Sequence, residues 1–166
     1  MIALISLAFI AVVMWKLWMP GLAFAQGFRA LLDRPTGTTG LWPFVMGVEK
    51  VGGEFDGRPV LLIVHHRRGR NTLGYLVVAM QPSGGTEMET KYSGAFREWI
   101  GEPAARAAWD DLELQHELKL SFGEGWMRAT WQPHGAFIFP GRFDPERWRR
   151  VLRSMHTVVT SLERGA

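Results

Sequence analysis

PFVMGVEKVGGEFDGRPVLLIVHH, residues 43–66, reads as a β-hairpin, and that hairpin decides the fold. Asp56-Gly57 is the dipeptide of a type I′ turn, whose two central residues both need φ > 0. It lies between two runs of strand-forming residues, 43–55 and 58–66. After a turn at RRGRN (67–71), TLGYLVVAMQ (72–81) returns as a third strand. Val60–Val64 and Leu76–Met80 are apolar on consecutive positions, so both faces of these strands are expected to be covered. The three runs form an antiparallel meander.

Toward the C-terminus, PSGGTEMETKYSG (82–94) is a polar connection, followed by two short helical patterns at 95–100 and 103–112. The second has Pro at its first turn. LQHELKLSF (114–122) alternates, with His116, Leu118, Leu120 and Phe122 on one face and Glu113 and Glu117 on the other. GEG (123–125) turns, WMRATWQ (126–132) pairs back, and AFIFP (136–140) offers one more short strand. Then comes the clearest element. Asp144 caps a helix with Pro145 at its first position, and Trp148, Val151, Leu152, Met155, Val158, Val159 and Leu162 form one apolar stripe. A long helix with one apolar face needs a surface, and the meander supplies it. The expected class is α+β, with this helix packed on a small antiparallel sheet.

Toward the N-terminus, MIALISLAFIAVVMW (1–15) carries no charge and one hydroxyl. Extended to Met19 it makes a helix of about 29 Å, just long enough to cross a bilayer core. Trp15, Lys16 and Trp18 would then mark the membrane interface, and Pro20-Gly21 would end the helix. A secretory signal peptide competes, because Ala23-Phe24-Ala25 is an A-x-A cleavage pattern. Against it, no Lys or Arg precedes the apolar run. A buried core helix is the third reading, weakened by the lack of any polar face. Lys16, Arg29 and Arg34 follow the run, so the positive-inside rule puts the domain on the cytoplasmic side, with the periplasm as the alternative. The expected organisation is an anchor at 1–19, an interfacial amphipathic helix and linker at 20–41, and a folded domain at 42–166. In that segment Leu22, Phe24, Phe28, Leu31 and Leu32 have helical spacing, and RPTGTTG (34–40) reads as linker.

Composition narrows the chemistry. Without Cys there are no disulfides, thiolate nucleophiles or thiolate metal sites. His65-His66 on a strand point to opposite faces, and His116, His134 and His156 are scattered without metal-ligand spacing. No G-x-S-x-G elbow, phosphate-binding glycine loop or paired-carboxylate motif occurs. Gly52-Gly53 and Gly84-Gly85 are too short to cradle a phosphate. The expected cofactor set is therefore none, and no catalytic or metal-binding residue is assigned. An anchored enzyme with its site between the sheet and 82–112 is the reading that keeps catalysis open.

Of 19 basic residues 15 are Arg, and they cluster at Arg67, Arg68, Arg70 and at Arg147, Arg149, Arg150, Arg153. Solvated faces account for such clusters, and 16 acids balance them, which argues against nucleic acid. Eight Trp is many for this length, and Trp and Arg are the residues favoured at interface hot spots. The functional expectation is a single-pass accessory or structural subunit that docks on a larger membrane protein complex, respiratory or photosynthetic assemblies being possible hosts. Arg67, Arg68, Arg70, Arg149, Arg150 and Arg153 would contact partner or lipid. The alternative is a periplasmic or secreted ligand- or protein-binding domain released after Ala25.

Overall fold

The computed structural model describes residues 6, 12, 22–38, 48–65, 75–83, 100–131 and 143–164. Among them, strands β1 (Asp33–Thr38), β2 (Val48–Phe55), β3 (Arg58–His65), β4 (Tyr75–Met80), β5 (Leu118–Gly123) and β6 (Trp126–Trp131) build one sheet in the order β1-β2-β3-β4-β6-β5. Every pairing is antiparallel. Helices α1 (22–29), α2 (Pro103–Asp110) and α3 (Pro145–Arg164) lie on one face of it.

The hairpin forms as its dipeptide demands. Asp56 (φ 49°) and Gly57 (φ 77°) both take the left-handed conformation, so β2 and β3 pair without slip from Val48↔His65 to Phe55↔Arg58. Glu124 (φ 54°) and Gly125 (φ 75°) repeat the device between β5 and β6. Period-2 alternation then sorts the side chains. Val51, Val60, Leu62, Val64, Leu76, Val78, Met80, Met127 and Ala129 are buried on the helix side. On the opposite side Leu61, Ile63 and Val77 are half-buried.

α3 supplies the other half of the core. The Asp144 carboxylate accepts the backbone N–H groups of Glu146 (3.0 Å) and Arg147 (3.2 Å), satisfying two donors that the first helical turn leaves open. All seven stripe residues, from Trp148 to Leu162, are buried. α2 runs antiparallel beside α3, with Glu102 near Arg164 at one end and Asp111 near Ser154 at the other. The small residues Ala105 and Ser161 are both buried, as a close helix pair requires.

Three expectations need correction. Residues 22–32 are not a helix lying on a membrane surface: Phe24, Ala25, Phe28 and Leu32 are buried in the core. The Phe24 ring meets Phe143 at 5.2 Å and Trp148 at 5.1 Å, edge to face, and Phe28 meets Trp148 at 6.2 Å. Residues 33–38 are not linker but the edge strand β1, paired to β2 through Asp33↔Glu54 and Thr36↔Gly52 with a bulge between. Gly53 permits this crossing, since a Cβ there would sit 2.9 Å from Leu32 Cβ and 3.0 Å from the Asp33 carbonyl. Finally, the strand drawn from 114 begins only at Leu118. Residues 111–115 form a π-turn that prolongs α2, and Glu117 (φ 55°) reverses the chain.

Among the described residues no helix is long and apolar enough to cross a membrane. The expected anchor at 1–19 lies outside the described residues except for Ser6 and Val12, which are both helical and exposed. The expected strand at 136–140 and the helix at 95–100, apart from Ile100, also lie outside them.

Candidate functional site

The polar side of α3 is the part of the structure where sequence-assigned site residues come together. Arg149 is held by Glu146 one turn earlier, Nη1 to Oε1 at 2.5 Å. Arg150 and Arg153, three residues apart and so on one helical face, are both exposed and have no ion-pair partner among the described residues. Of the three arginines assigned to α3, then, Arg149 is ion-paired, and Arg150 and Arg153 are exposed with no ion-pair partner among the described residues. Arg67, Arg68, Arg70, Trp15, Lys16 and Trp18 lie outside the described residues.

Beneath this face sits an ionisable cluster that sequence patterning missed. His116 ends the π-turn, its N–H donating to the Asp111 carbonyl (3.2 Å) and its carbonyl accepting from Arg147 Nη2 (3.2 Å). The side chain is 9% exposed, and neither ring nitrogen has a hydrogen-bond partner among the described residues. Asp111 Oδ2 lies 3.5 Å from Nε2, near enough to attract a charged imidazole but without hydrogen-bond geometry. Burial is the largest influence on the ring and pulls its pKa below the ordinary value of 6.5. Arg147 and Arg150 push the same way, and Asp111 opposes them.

Ser154 Oγ donates to Asp111 Oδ2 at 3.1 Å, so the carboxylate stands between hydroxyl and imidazole, and the His116 ring makes no hydrogen bond to the serine as the imidazole of a serine–histidine pair would. Nor do three or more His, Asp or Glu side chains converge as metal ligands among the described residues. What the arrangement does is hold the exit of α2 against the start of α3.

A second clamp ties the far end of α3 to the sheet. Arg58 Nη1 and Nη2 each reach a Glu163 carboxylate oxygen at 2.6 Å, and Nη2 also donates to Thr160 Oγ1 at 3.2 Å. The Ser83 backbone N–H donates to the same carboxylate. The Arg58 hydrogen bonds are the first cause that lowers the Glu163 pKa from its ordinary 4.5. This pair was readable in principle. Arg58 falls in phase with Val60, Leu62 and Val64, so alternation alone turns it toward the helix layer.

His65, read as one of an adjacent histidine pair, stacks on Tyr75 at 4.1 Å at the end of the β3–β4 hairpin, and His66 lies outside the described residues. Compared with protein-family models, curated proteins and solved structures, the chain matches none.

Proposed function

We propose that the protein is a single-pass, membrane-anchored accessory subunit whose α+β domain docks on a larger membrane protein complex. One observation carries the anchor. The uncharged N-terminal run is helical at Ser6 and Val12, and Val12 is 55% exposed although it belongs to the most apolar segment of the chain. Leaving a large aliphatic side chain in water costs about 1.5–3 kcal/mol, so the exposure of Val12 within an uncharged run favours lipid around it.

The packing of α1 weighs against release by cleavage. A cut after Ala25 would fall within α1 and remove Phe24 and Ala25 from the core. The docking part of the proposal draws on Arg150 and Arg153, exposed cations of α3 without an ion-pair partner among the described residues, together with Arg67, Arg68 and Arg70 of the sequence. A partner with an acidic rim, or anionic lipid, would meet them. The domain side is proposed as cytoplasmic from Lys16, Arg29 and Arg34.

The test is purification of the full chain from its native membranes in mild detergent. Retention in the membrane after carbonate extraction, with stable companion proteins, is the expected result. A chain that carbonate releases overturns the anchor, and a membrane-retained chain that runs alone as a monomer overturns the subunit role.

A further inference from the structure

The described residues fix which end of the domain the N-terminal segment joins. Phe24 packs against Phe143 and Trp148, so α1 starts beside the N-terminus of α3 and descends to Leu32, which contacts Gly53 near the far end of β2. At that same upper end Arg147 reaches the His116 carbonyl, and β5 begins at Leu118, paired through Trp131 to Leu76 at the start of β4. The opposite end holds the Asp56-Gly57 and Glu124-Gly125 turns and the Arg58–Glu163 clamp. α3 spans the distance, about 30 Å for its 20 residues.

Among the described residues three large hydrophobics are exposed: Val12 in the N-terminal segment, Leu114 at 75% and Tyr75 at 36%. Leu114 lies in the π-turn two residues before His116, and Tyr75 opens β4. Both therefore belong to the end where the N-terminal segment enters. On the anchor reading, which ends the membrane segment at Met19, only positions 20 and 21 lie between it and Leu22, a contour length of at most about 10 Å, against a headgroup layer roughly 5–8 Å thick.

Resting on the membrane-anchor reading above, we infer that this end, bearing Leu22, Tyr75 and Leu114, sits in the lipid headgroup layer and holds the domain upright on the bilayer. Phe24, Ala25 and Phe28 of α1 are locked into the core, so on the anchor reading a contour of two residues holds this end of the domain close to the surface. Leu114 and Tyr75 are apolar enough to enter the interfacial zone, and neither is needed by the core. The lower end, with its two hairpins, projects into water.

The chain has no Cys, so single-cysteine variants report position directly. Leu114→Cys and Tyr75→Cys probe the upper end. Pro59→Cys, beside the Arg58 clamp, and Ala104→Cys, at the start of α2, probe the lower one. Each full-length variant carries an environment-sensitive fluorophore in phosphatidylcholine–phosphatidylglycerol vesicles, with and without nitroxide-headgroup lipid. With the ends about 30 Å apart, quenching of about twofold or more is expected at 114 and 75, and less than about 1.2-fold at 59 and 104. Flotation of the same samples separates the two readings. A chain that does not float with the vesicles removes the anchor and this inference with it. A chain that floats with all four labels unquenched, or all four quenched alike, overturns the orientation and leaves the anchor standing.

Discussion

Burial keeps the His116 ring neutral in the folded domain, and two arginines reinforce it. The sign follows from proton binding. With the folded pKa below 6.5, the unfolded chain takes up this proton first, so stability falls as pH drops from above 6.5 toward the folded value, then levels off. Urea midpoints in detergent at about pH 7.5 and 5.5 should therefore drop for the parent chain, and the drop should shrink in His116→Gln. An equal drop in both would assign the acid sensitivity to other groups. Glu163 acts in a separate window. Its folded pKa lies below 4.5, so the Arg58 pair stabilises above that value and is lost as pH falls further. At neutral pH, Glu163→Gln removes one partner of a pair whose side chains are 13% and 20% exposed. It should cost about 2–3 kcal/mol by denaturant titration.

At the scale of elements, α1 is the part whose role the structure changed most. Phe24→Ala should destabilise the domain by about 3–5 kcal/mol, lowering its melting temperature by roughly 10 °C. A helix merely resting on a membrane would show almost no change. The sheet was legible because its signals are local: Asp56-Gly57 sets one hairpin, and alternation at Leu118, Leu120 and Phe122 places β5. α3 was legible from its cap and stripe. β1 was not, because DRPTGT carries Pro and Gly and no apolar alternation, and it joins the sheet through backbone pairing at an edge. The π-turn was hidden for a related reason. The pattern around Leu112, Leu114 and His116 fits a strand by period, and only the tertiary packing of His116 against α3 makes it a turn. The candidate site was half legible: composition marked the arginines of α3, but their pairing state and the buried histidine below them depend on contacts far apart in sequence.

For the whole molecule, the apolar run 1–19 lies two residues ahead in sequence of Leu22, where α1, a helix built into the domain core, is first described. That continuity links fold to function, because it makes the segment's fate and the domain's integrity one question. If docking uses the exposed cations of α3, the double change Arg150→Ala/Arg153→Ala should reduce co-purifying partner about tenfold or more while leaving the melting temperature unchanged. Full retention would show these side chains to be solvated only. The decisive measurement is the intact mass of the protein recovered from carbonate-washed membranes. The expected result is a chain that still carries residues 1–25 ahead of Gln26, with a mass near 18.8 kDa. A mature chain starting at Gln26, found outside the membrane fraction, would contradict it.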